Sequence, residues 1–344
     1  MAFKAVYVTD LAESQHTDNH PFQNCVLNTG NLLFYKSIVK TTGLPVMTRK
    51  KLMDPALSEK PDTIVTSDLI WIGKNSDLPN LYDIRKKFGD KIKIIPLCVG
   101  LDYAYTNEFS FSEDMKYFLK SISEQCDIAC RGEYVAEELN KIGIHNTTIL
   151  GCPSLYYNEN PDFQIFTKEL PEVCRVSANA TLWATKDKAS AQDLKKFVIF
   201  CIKNNAEFIE QTITNGFGLD CKPEISIGGF MDWRWRWKYF FEAKPWIEYM
   251  RRFDFVIGGR FHGCVAGILA NVPTLVLNYD KRVEELCRYF KIPLIQFKDF
   301  DSSKPVSYYY EKTDYSLFNE GFREKYNKYF DYLKNNQIYT KEVK

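Results

Sequence analysis

The stretch Asp254-Phe-Val-Ile-Gly-Gly-Arg-Phe-His-Gly-Cys-Val-Ala-Gly-Ile-Leu-Ala270 joins an apolar strand pattern, a glycine pair and an apolar helix pattern. The segment Asp254 to Ile257 predicts a strand, and Gly258-Gly259 predicts the turn into the helix. Arg260 and His262 then stand at the carboxyl end of the strand, where the helix begins. Because the first N–H groups of a helix lack partners within it, they attract anions. The stretch therefore predicts a strand–turn–helix unit with an anion site at its turn.

Arg260 and His262 are the candidates for chemistry at this turn. The planar guanidinium of Arg260 suits a carboxylate or a phosphate, and His262 is one of only four histidines in the chain. An imidazole can gain or lose a proton near neutral pH. Two interpretations stay open: an anion clamp beside a general acid, or a structural arginine with a histidine that caps the helix. Gly259 and Gly263, which flank the pair, are candidate substrate-binding residues.

Two further segments place charged residues after a strand pattern. In Cys130-Arg131-Gly-Glu133, an arginine again leads into a helix pattern, and Glu133 is a candidate substrate-binding residue. The alternative to an anion-binding role for Arg131 is a structural ion pair with the first-turn Glu133. The segment Asn278 to Glu285 carries the further candidate substrate-binding residues Asp280, Arg282 and Glu285. Taken alone, this second segment is more typical of a solvated charged turn.

Length and composition limit the class of protein. The chain has 344 residues, enough for two domains. Its 45% hydrophobic and 26% charged content excludes a largely disordered protein. The 45 Lys and Arg residues nearly balance 44 Asp and Glu residues, so we expect no general nucleic-acid binding. No apolar run approaches the ~20 residues that a membrane-spanning helix needs.

The ten cysteines are spread singly, and none forms a Cys-x-x-Cys pair. Many lie in apolar runs, which is typical of buried, reduced thiols in a cytosolic protein. The N-terminal residues MAFKAVYVTD show no signal-peptide pattern. We therefore predict a cytoplasmic protein, in which the glycosylation sequons at Asn146 and Asn179 have no meaning.

Short apolar runs alternate with helical stretches along the chain, which predicts α/β architecture with parallel sheets. We expect helices over Glu133 to Ile142 and Ser316 to Asn335. Predicted strands cover 5–8, 69–72, 92–99, 127–130, 148–150, 224–227, 254–257, 274–277 and 293–296, while 197–202 fits a strand or a helix. This pattern suggests two α/β domains that face each other across a cleft. We predict an N-terminal domain over 1–160, a C-terminal domain over 161–312 and a final helical segment over 313–344.

Two local clusters have weaker implications. His16 and His20 superficially resemble a metal site, but their spacing and surroundings favour a loop, so we predict no metal. The segment Trp233 to Phe241 interleaves aromatic and basic residues. It fits core packing, sugar stacking or contact with a membrane surface, and we favour core packing for most of its side chains.

Several of these motifs occur together in one known family. The segments that carry the resemblance are Arg131-Gly-Glu133, Gly151-Cys-Pro153, Ile257-Gly-Gly-Arg-Phe-His-Gly263, Val272-Pro-Thr274 and Asp280-Lys-Arg-Val-Glu-Glu-Leu286. In order and spacing they resemble the polysaccharide pyruvyl transferases. The resemblance extends from about Asn24 to Pro293 and is strongest in the last part of that range.

This resemblance implies a fold like that of GT-B glycosyltransferases, with two Rossmann-like domains and a C-terminal helix that crosses back to the first domain. It also implies transfer of pyruvate from phosphoenolpyruvate onto two hydroxyls of a sugar, in surface-polysaccharide assembly. Arg131, Arg260 and His262 match residues of the family's motifs. Asn28 and Asn31 stand where many members have Asn-x-Gly-Asp, and they are candidate substrate-binding residues of the first domain.

The chemistry of this reaction agrees with the residues. Phosphoenolpyruvate has a carboxylate and a phosphate, which Arg131 and Arg260 would bind, and His262 would act as general acid and base. We expect no cofactor, and an acceptor sugar carried on a lipid or a nucleotide, with contact to the inner face of the membrane left open. Two other functions stay open: a glycosyltransferase with a nucleotide-sugar donor, leaning on Glu285, and an inactive relative that binds anionic glycans.

Overall fold

The computed structural model describes residues 4–11, 23–25, 27–73, 79–89, 92–102, 109–181, 191–212, 233 and 236–341. The chain forms two compact units. Unit 1 comprises Met1–Asp10, Ile38–Pro153 and Glu324–Lys344, and unit 2 comprises Leu11–Ser37 and Ser154–Arg323. We predicted domain boundaries after residues 160 and 312, with 11–37 in the first domain. In the structure, 11–37 group with unit 2 instead.

The first half of the chain supplies the sheet of unit 1. Its elements are β1 (Ala5–Val8), α1 (Gly30–Thr42), β2 (Val46–Met47), α2 (Arg49–Leu52), β3 (Thr63–Thr66), α3 (Pro79–Phe88), β4 (Lys93–Pro96), α4 (Glu113–Ser123), β5 (Ile128–Cys130), α5 (Glu133–Lys141) and β6 (Thr147–Ile149). Strands pair in the order β2-β1-β3-β4, and β5 pairs with β6; every pair is parallel. An isolated parallel bridge from Val99 to Cys130 extends the pairing to β5.

The second half of the chain supplies the sheet of unit 2. Its elements are β7 (Val176–Asn179), α6 (Ala191–Lys203), β8 (Glu207–Phe208), α7 (Ala243–Met250), β9 (Phe255–Gly258), α8 (Phe261–Leu269), β10 (Thr274–Asn278), α9 (Lys281–Phe290), β11 (Leu294–Gln296), α10 (Val306–Tyr310) and α11 (Ser316–Asn335). The five strands are all parallel, in the order β11-β10-β9-β7-β8. In such sheets, helices connect parallel neighbours, and ligands bind beyond the carboxyl ends of the strands.

These observations confirm the predicted α/β class with two Rossmann-like, parallel-sheet units. The expected return of the C-terminal helix to the first domain is also confirmed, because the second half of α11 belongs to unit 1. There, the hydroxyls of Tyr329 and Thr41 lie 2.8 Å apart. The Tyr332 hydroxyl donates to the carbonyl of Asp127 at 2.7 Å.

The predicted strand at Leu69–Ile72 is wrong. The strand is β3, a few residues earlier, which pairs with β1 and β4. Leu69 and Ile72 are buried while Trp71 is 50% exposed, a pattern without the alternation of a half-buried strand. The apolar run instead forms a short 3-10 turn over Asp68–Ile70 after β3.

The interior strand β7 is absent from our sequence predictions. Its residues Val176-Ser-Ala-Asn179 are all buried, although two of the four are polar. Buried parallel strands are usually rich in Val, Ile and Leu, so this composition hid the strand. The 197–202 stretch lies in α6 and is helical, and the 224–227 strand lies outside the described residues.

Trp233 and Trp237 of the aromatic cluster pack in the core of unit 2, as we favoured. Trp233 and Trp237 are 3% and 8% exposed and belong to one buried cluster. Their rings lie 5.1 and 5.0 Å from that of Phe208. The indole N–H of Trp233 also donates to the carbonyl of Ala206 at 2.8 Å. Burial of the rings accounts for these two side chains without a ligand.

Within the part of the chain that the structure describes, no helix combines the length and apolarity needed to cross a membrane. Nine cysteines lie among the described residues; all are free thiols, and only Cys174 is not fully buried.

Candidate anion-binding site

The turn between β9 and α8 depends on glycines because other groups approach its backbone closely. A Cβ atom on Gly258 would lie 2.3 Å from the carbonyl oxygen of Asn179. A Cβ atom on Gly259 would lie 2.5 Å from the ring of Tyr279. Arg260 then occupies the N-cap position of α8 in an extended conformation. The glycine pair therefore lets β9 turn tightly against β7 and places Arg260 where the helix begins.

Asn179, the last residue of β7, holds this turn in place. Its side-chain Oδ1 accepts a hydrogen bond from the backbone N–H of Arg260 at 2.9 Å. Its carbonyl accepts from the N–H of Gly259 at 2.8 Å. Asn179 is fully buried, so these bonds are shielded from water. Sequence analysis identified Asn179 only as a sequon, because its partners lie 80 or more positions away.

The guanidinium of Arg260 contacts two residues that follow β8. Its Nη1 lies 3.2 Å from Oε1 of Glu210 and 3.3 Å from Oγ1 of Thr212. The Arg260 side chain is 11% exposed and the Glu210 side chain 0%. The expected anion-binding arginine is thus already paired with a fully buried carboxylate. Neither Glu210 nor Thr212 stood out in the sequence.

Residues just before α1 lie beside His262. The N–H of Thr29 donates to the carbonyl of Gln211 at 2.8 Å, and Asn28 forms an antiparallel bridge with Thr212. Asn28 Oδ1 accepts from the N–H of Gly30 at 3.0 Å. A Cβ atom on Gly30 would lie 3.1 Å from that of His262. The structure therefore brings the predicted Asn28 to the same cluster of unit 2 as Arg260 and His262.

Asn31 and Gly263, two other predicted substrate-binding residues, make structural contacts in this cluster. The side-chain amide of Asn31 donates to the carbonyl of Cys25 at 3.0 Å. A Cβ atom on Gly263 would lie 2.7 Å from Nε2 of Gln211. Gly263 therefore permits Gln211 to approach the first turn of α8.

The segment after β10 is not simply a solvated turn, since its three predicted substrate-binding residues are largely buried. Asp280 is 5% exposed and caps α9, because its Oδ1 accepts from the N–H of Val283 at 2.8 Å. Its Oδ2 lies 3.0 Å from Nη2 of Arg282, whose side chain is 13% exposed. Glu285 is buried within α9. Asp280 and Arg282 thus form an ion pair at the helix start.

Arg131 lies in unit 1, directly after β5. Its backbone N–H donates to the carbonyl of Val99 at 2.9 Å, and the residue is 8% exposed. Its Nε has no hydrogen-bond partner, and within the described residues no carboxylate lies within 4.0 Å of its guanidinium. Glu133, the first residue of α5, is exposed, and among the described residues no ion pair joins it to Arg131, so that alternative is wrong.

Buried charges in proteins are normally paired or hydrogen-bonded, because removal from water is costly. A buried guanidinium such as that of Arg131 therefore favours an anionic ligand. Cys98 is close enough to feel this charge: burial raises the pKa of its thiol, and Arg131 partly opposes that rise. Arg131 and Arg260 occupy the same kind of junction but differ in their charge partners.

Among the described residues, no group of three or more His, Cys, Asp or Glu side chains is placed to hold a metal ion. His16 and His20 lie outside the described residues.

The parallel sheets and the helices between their strands define the chain as an α/β protein, and in each unit an arginine follows a strand and precedes a helix. The family model described as "Polysaccharide pyruvyl transferase" matches residues 63–281. This range is more than half of the chain and contains Arg131, Arg260 and His262. The chain therefore belongs to the polysaccharide pyruvyl transferase family.

The solved structures that a comparison of folds finds share little sequence with this chain. UDP-GlcNAc 2-epimerase from Neisseria meningitidis has a TM-score of 0.47 at 11% identity, covering 96% of this chain and 99% of its own. The Methanocaldococcus jannaschii UDP-GlcNAc 2-epimerase gives 0.46 at 9% identity, with 97% and 100% coverage. The calicheamicin glycosyltransferase CalG4 gives 0.42 at 8% identity, with 96% and 95% coverage. No curated protein matches the sequence significantly.

Proposed function

We propose that the protein is a ketal pyruvyltransferase that moves pyruvate from phosphoenolpyruvate onto two hydroxyls of a sugar. The family establishes a polysaccharide pyruvyl transferase in general terms. The observation that carries the finer proposal is the Arg-Phe-His sequence at the start of α8, held by Asn179 and Glu210. It puts a cation and a proton-transfer group two residues apart at one helix start. The acceptor we propose is a sugar on a lipid or nucleotide carrier.

Donor binding requires groups that balance a carboxylate and a phosphate. Arg131 supports this role because its buried guanidinium has no carboxylate within 4.0 Å among the described residues. Arg260 is partly neutralised by Glu210, so it would supply directed N–H groups more than net charge. We assign both arginines to the donor by their chemistry and their motifs.

The proposed reaction needs one proton donor and one proton acceptor. A proton added to the methylene carbon makes the methyl group, and a sugar hydroxyl forms a bond to the adjacent carbon. The bond from that carbon to the phosphate oxygen breaks, and the second hydroxyl closes the ketal. The two hydroxyl protons end on the methyl group and on the released phosphate. His262 is our candidate to move these protons.

The first test is donor binding, measured by thermal shift and calorimetry with phosphoenolpyruvate and a panel of nucleotide sugars. Wild type should be stabilised by phosphoenolpyruvate, and the stabilisation should be much smaller in the Arg260→Ala variant, which retains Arg131. Stabilisation by a nucleotide sugar alone would instead support the glycosyltransferase alternative. If neither ligand binds, the glycan-binding relative becomes the better interpretation.

The second test addresses His262. The His262→Ala variant should lower kcat by about 10²- to 10⁴-fold, the usual contribution of a general acid or base. Its affinity for phosphoenolpyruvate should change much less, because proton transfer is removed and the arginines remain. Phosphate release from phosphoenolpyruvate with an active acceptor gives kcat. Turnover near that of wild type would contradict the assigned role.

A further inference from the structure

From these contacts we infer that Glu210 is a positioning residue that orients the guanidinium of Arg260 for donor binding. This inference rests on the proposed function. It extends that function to Glu210, which lies outside the sequence segments that carry the resemblance to the family. The primary contact is the 3.2 Å pair between Arg260 Nη1 and Glu210 Oε1. Thr212 supports it, since its Oγ1 lies 3.3 Å from the same nitrogen and 3.0 Å from the same carboxylate oxygen.

Glu210 is itself held rigidly. Its Oε1 accepts from the backbone N–H groups of Gln211 at 2.7 Å and Thr212 at 2.9 Å. Its own N–H donates to the carbonyl of Lys238 at 3.0 Å, while the N–H of the preceding Ile209 donates to Ala178 in β7 at 2.9 Å. The carboxylate is therefore held by the backbone that directly follows β8, and that backbone is itself hydrogen-bonded to β7 and to Lys238.

Glu210 could affect anion binding at Arg260 in two ways: by lowering the positive potential, or by fixing the orientation of the guanidinium. A fully buried carboxylate 3.2 Å from Arg260 reduces the local positive potential. By charge alone it would weaken the binding of an anion. Orientation has the opposite effect, because an arginine held in one rotamer loses less conformational freedom when it binds. The two effects predict opposite signs when the negative charge is removed.

The test is the Glu210→Gln variant, which keeps a carbonyl oxygen for the backbone N–H groups but removes the charge. Calorimetry with phosphoenolpyruvate should show an affinity weakened roughly 10- to 100-fold, as expected for loss of a hydrogen bond between charged groups. Unchanged affinity would overturn the inference, since Glu210 would then be structural only. Tighter binding would also overturn it, because charge would then outweigh orientation.

Matched variants separate a positioning effect on Arg260 from a nonspecific effect of replacing a buried carboxylate. Glu138, a buried carboxylate 5% exposed in α5 that pairs with Lys141 at 2.7 Å, provides the same chemical change elsewhere. Glu138→Gln should leave the affinity for phosphoenolpyruvate within about twofold. In an Arg260→Ala background, Glu210→Gln should have no further effect on affinity, because the group that it orients is gone. A further loss in that background would overturn the inference.

Failure of the inference is distinguishable from failure of the proposed function. If wild type does not bind phosphoenolpyruvate, the proposed donor is wrong, but the effect of Glu210 on the Arg260 guanidinium can still be measured in the ligand-free protein. NMR of arginine-labelled protein, with the Arg260 signal assigned by substitution, reports rotation of its guanidinium. Rotation should be slow in wild type and faster in Glu210→Gln. Equal rotation in both proteins would overturn the inference.

Discussion

At the scale of single residues, Arg131 and Arg260 occupy similar positions but differ in whether a carboxylate lies near the guanidinium. Each follows a strand and precedes a helix. Arg260 has a buried carboxylate 3.2 Å away, whereas Arg131 is 8% exposed with no carboxylate within 4.0 Å among the described residues. The buried charge of Arg260 is compensated by Glu210, whereas we propose that an anionic ligand compensates the charge of Arg131.

Substitution by methionine should therefore destabilise the protein at Arg260 but not at Arg131. Arg260→Met removes the cation 3.2 Å from the buried carboxylate of Glu210, and this should lower the free energy of unfolding by about 3–5 kcal/mol. Arg131→Met removes a buried charge that lacks a carboxylate partner, so the ligand-free protein should be equally or more stable. Urea denaturation without ligand measures both. Equal losses in the two variants would contradict the difference in pairing.

Cys264, in the first turns of α8, should make stability depend on pH above the neutral range. Burial raises the pKa of its thiol from 9.0 to about 12. In the unfolded chain the thiol loses its proton near pH 9, while the folded protein keeps it. The contribution to stability is therefore complete below pH 9 and is lost as the pH rises towards 12.

The measurement compares wild type with Cys264→Ala by urea denaturation from pH 8 to 11. The variant should lose less stability over this range, even if it starts lower because its sulfur no longer donates to the Gly258 carbonyl at 3.2 Å. Parallel curves for the two proteins would show that this thiol does not contribute to the alkaline loss.

At the scale of elements, the β9–turn–α8 unit combines a local pattern with a distant anchor. The apolar periods and the glycine pair specify a strand and a helix. The geometry of the turn then depends on Asn179 of β7, whose side chain and carbonyl bind both Gly259 and Arg260. The position of Arg260 is thus a property of two neighbouring strands.

Gly258→Ala should disrupt this unit. The added Cβ would lie 2.3 Å from the Asn179 carbonyl oxygen, so the backbone of β7 or β9 must shift. We expect a loss of at least about 1–3 kcal/mol, as for other overpacked sites, together with weaker binding of phosphoenolpyruvate. Thermal denaturation and calorimetry measure the two effects.

Gly143→Ala is the control for Gly258→Ala. No atom lies within 4 Å of the added Cβ at Gly143, and its φ is +84°. Only backbone strain, on the order of 1–2 kcal/mol, should appear there, and the affinity for phosphoenolpyruvate should stay the same. If Gly258→Ala behaved like Gly143→Ala in both measurements, the close approach to Asn179 would have no functional consequence.

At the scale of the whole molecule, two segments group with the unit that is formed mainly by the other half of the chain. Residues 11–37 group with unit 2, and Glu324–Lys344 group with unit 1. The helices α1 and α11 each cross this division. Within unit 1, Tyr329, Leu333 and Ile338 from the C-terminal segment are fully buried.

Leu333→Ala should therefore destabilise unit 1 through the lost burial of a side chain. Substitutions of this kind cost about 2–5 kcal/mol. Hydrogen exchange measured by mass spectrometry should show faster exchange in peptides that contain β1, β3 and β4. Leu317, 61% exposed in the first turn of α11, supplies the control, since Leu317→Ala should leave these rates unchanged. Unaltered exchange in unit 1 of Leu333→Ala would contradict its place in that core.

The sequence by itself determined the features that depend on neighbours along the chain. Helical periodicity predicted α5 and the full extent of α11, and the apolar runs predicted most of the strands that have aliphatic side chains. The Arg260-Phe-His262 motif and its companions pointed to the family that the comparison confirms. These signals are local because side chains a few positions apart meet on one face of a helix or strand.

Only the tertiary structure decided which distant residues complete the site. Glu210 and Arg260 are 50 positions apart, and Asn179 and Arg260 are 81 apart. The polar strand β7 became recognisable only through its pairing with β8 and β9. Glu210 and Asn179 form hydrogen bonds with fixed partners because they are buried, and their burial depends on how the whole sheet is assembled. No local pattern records that assembly, since the pairing of parallel strands brings together segments separated by complete helices.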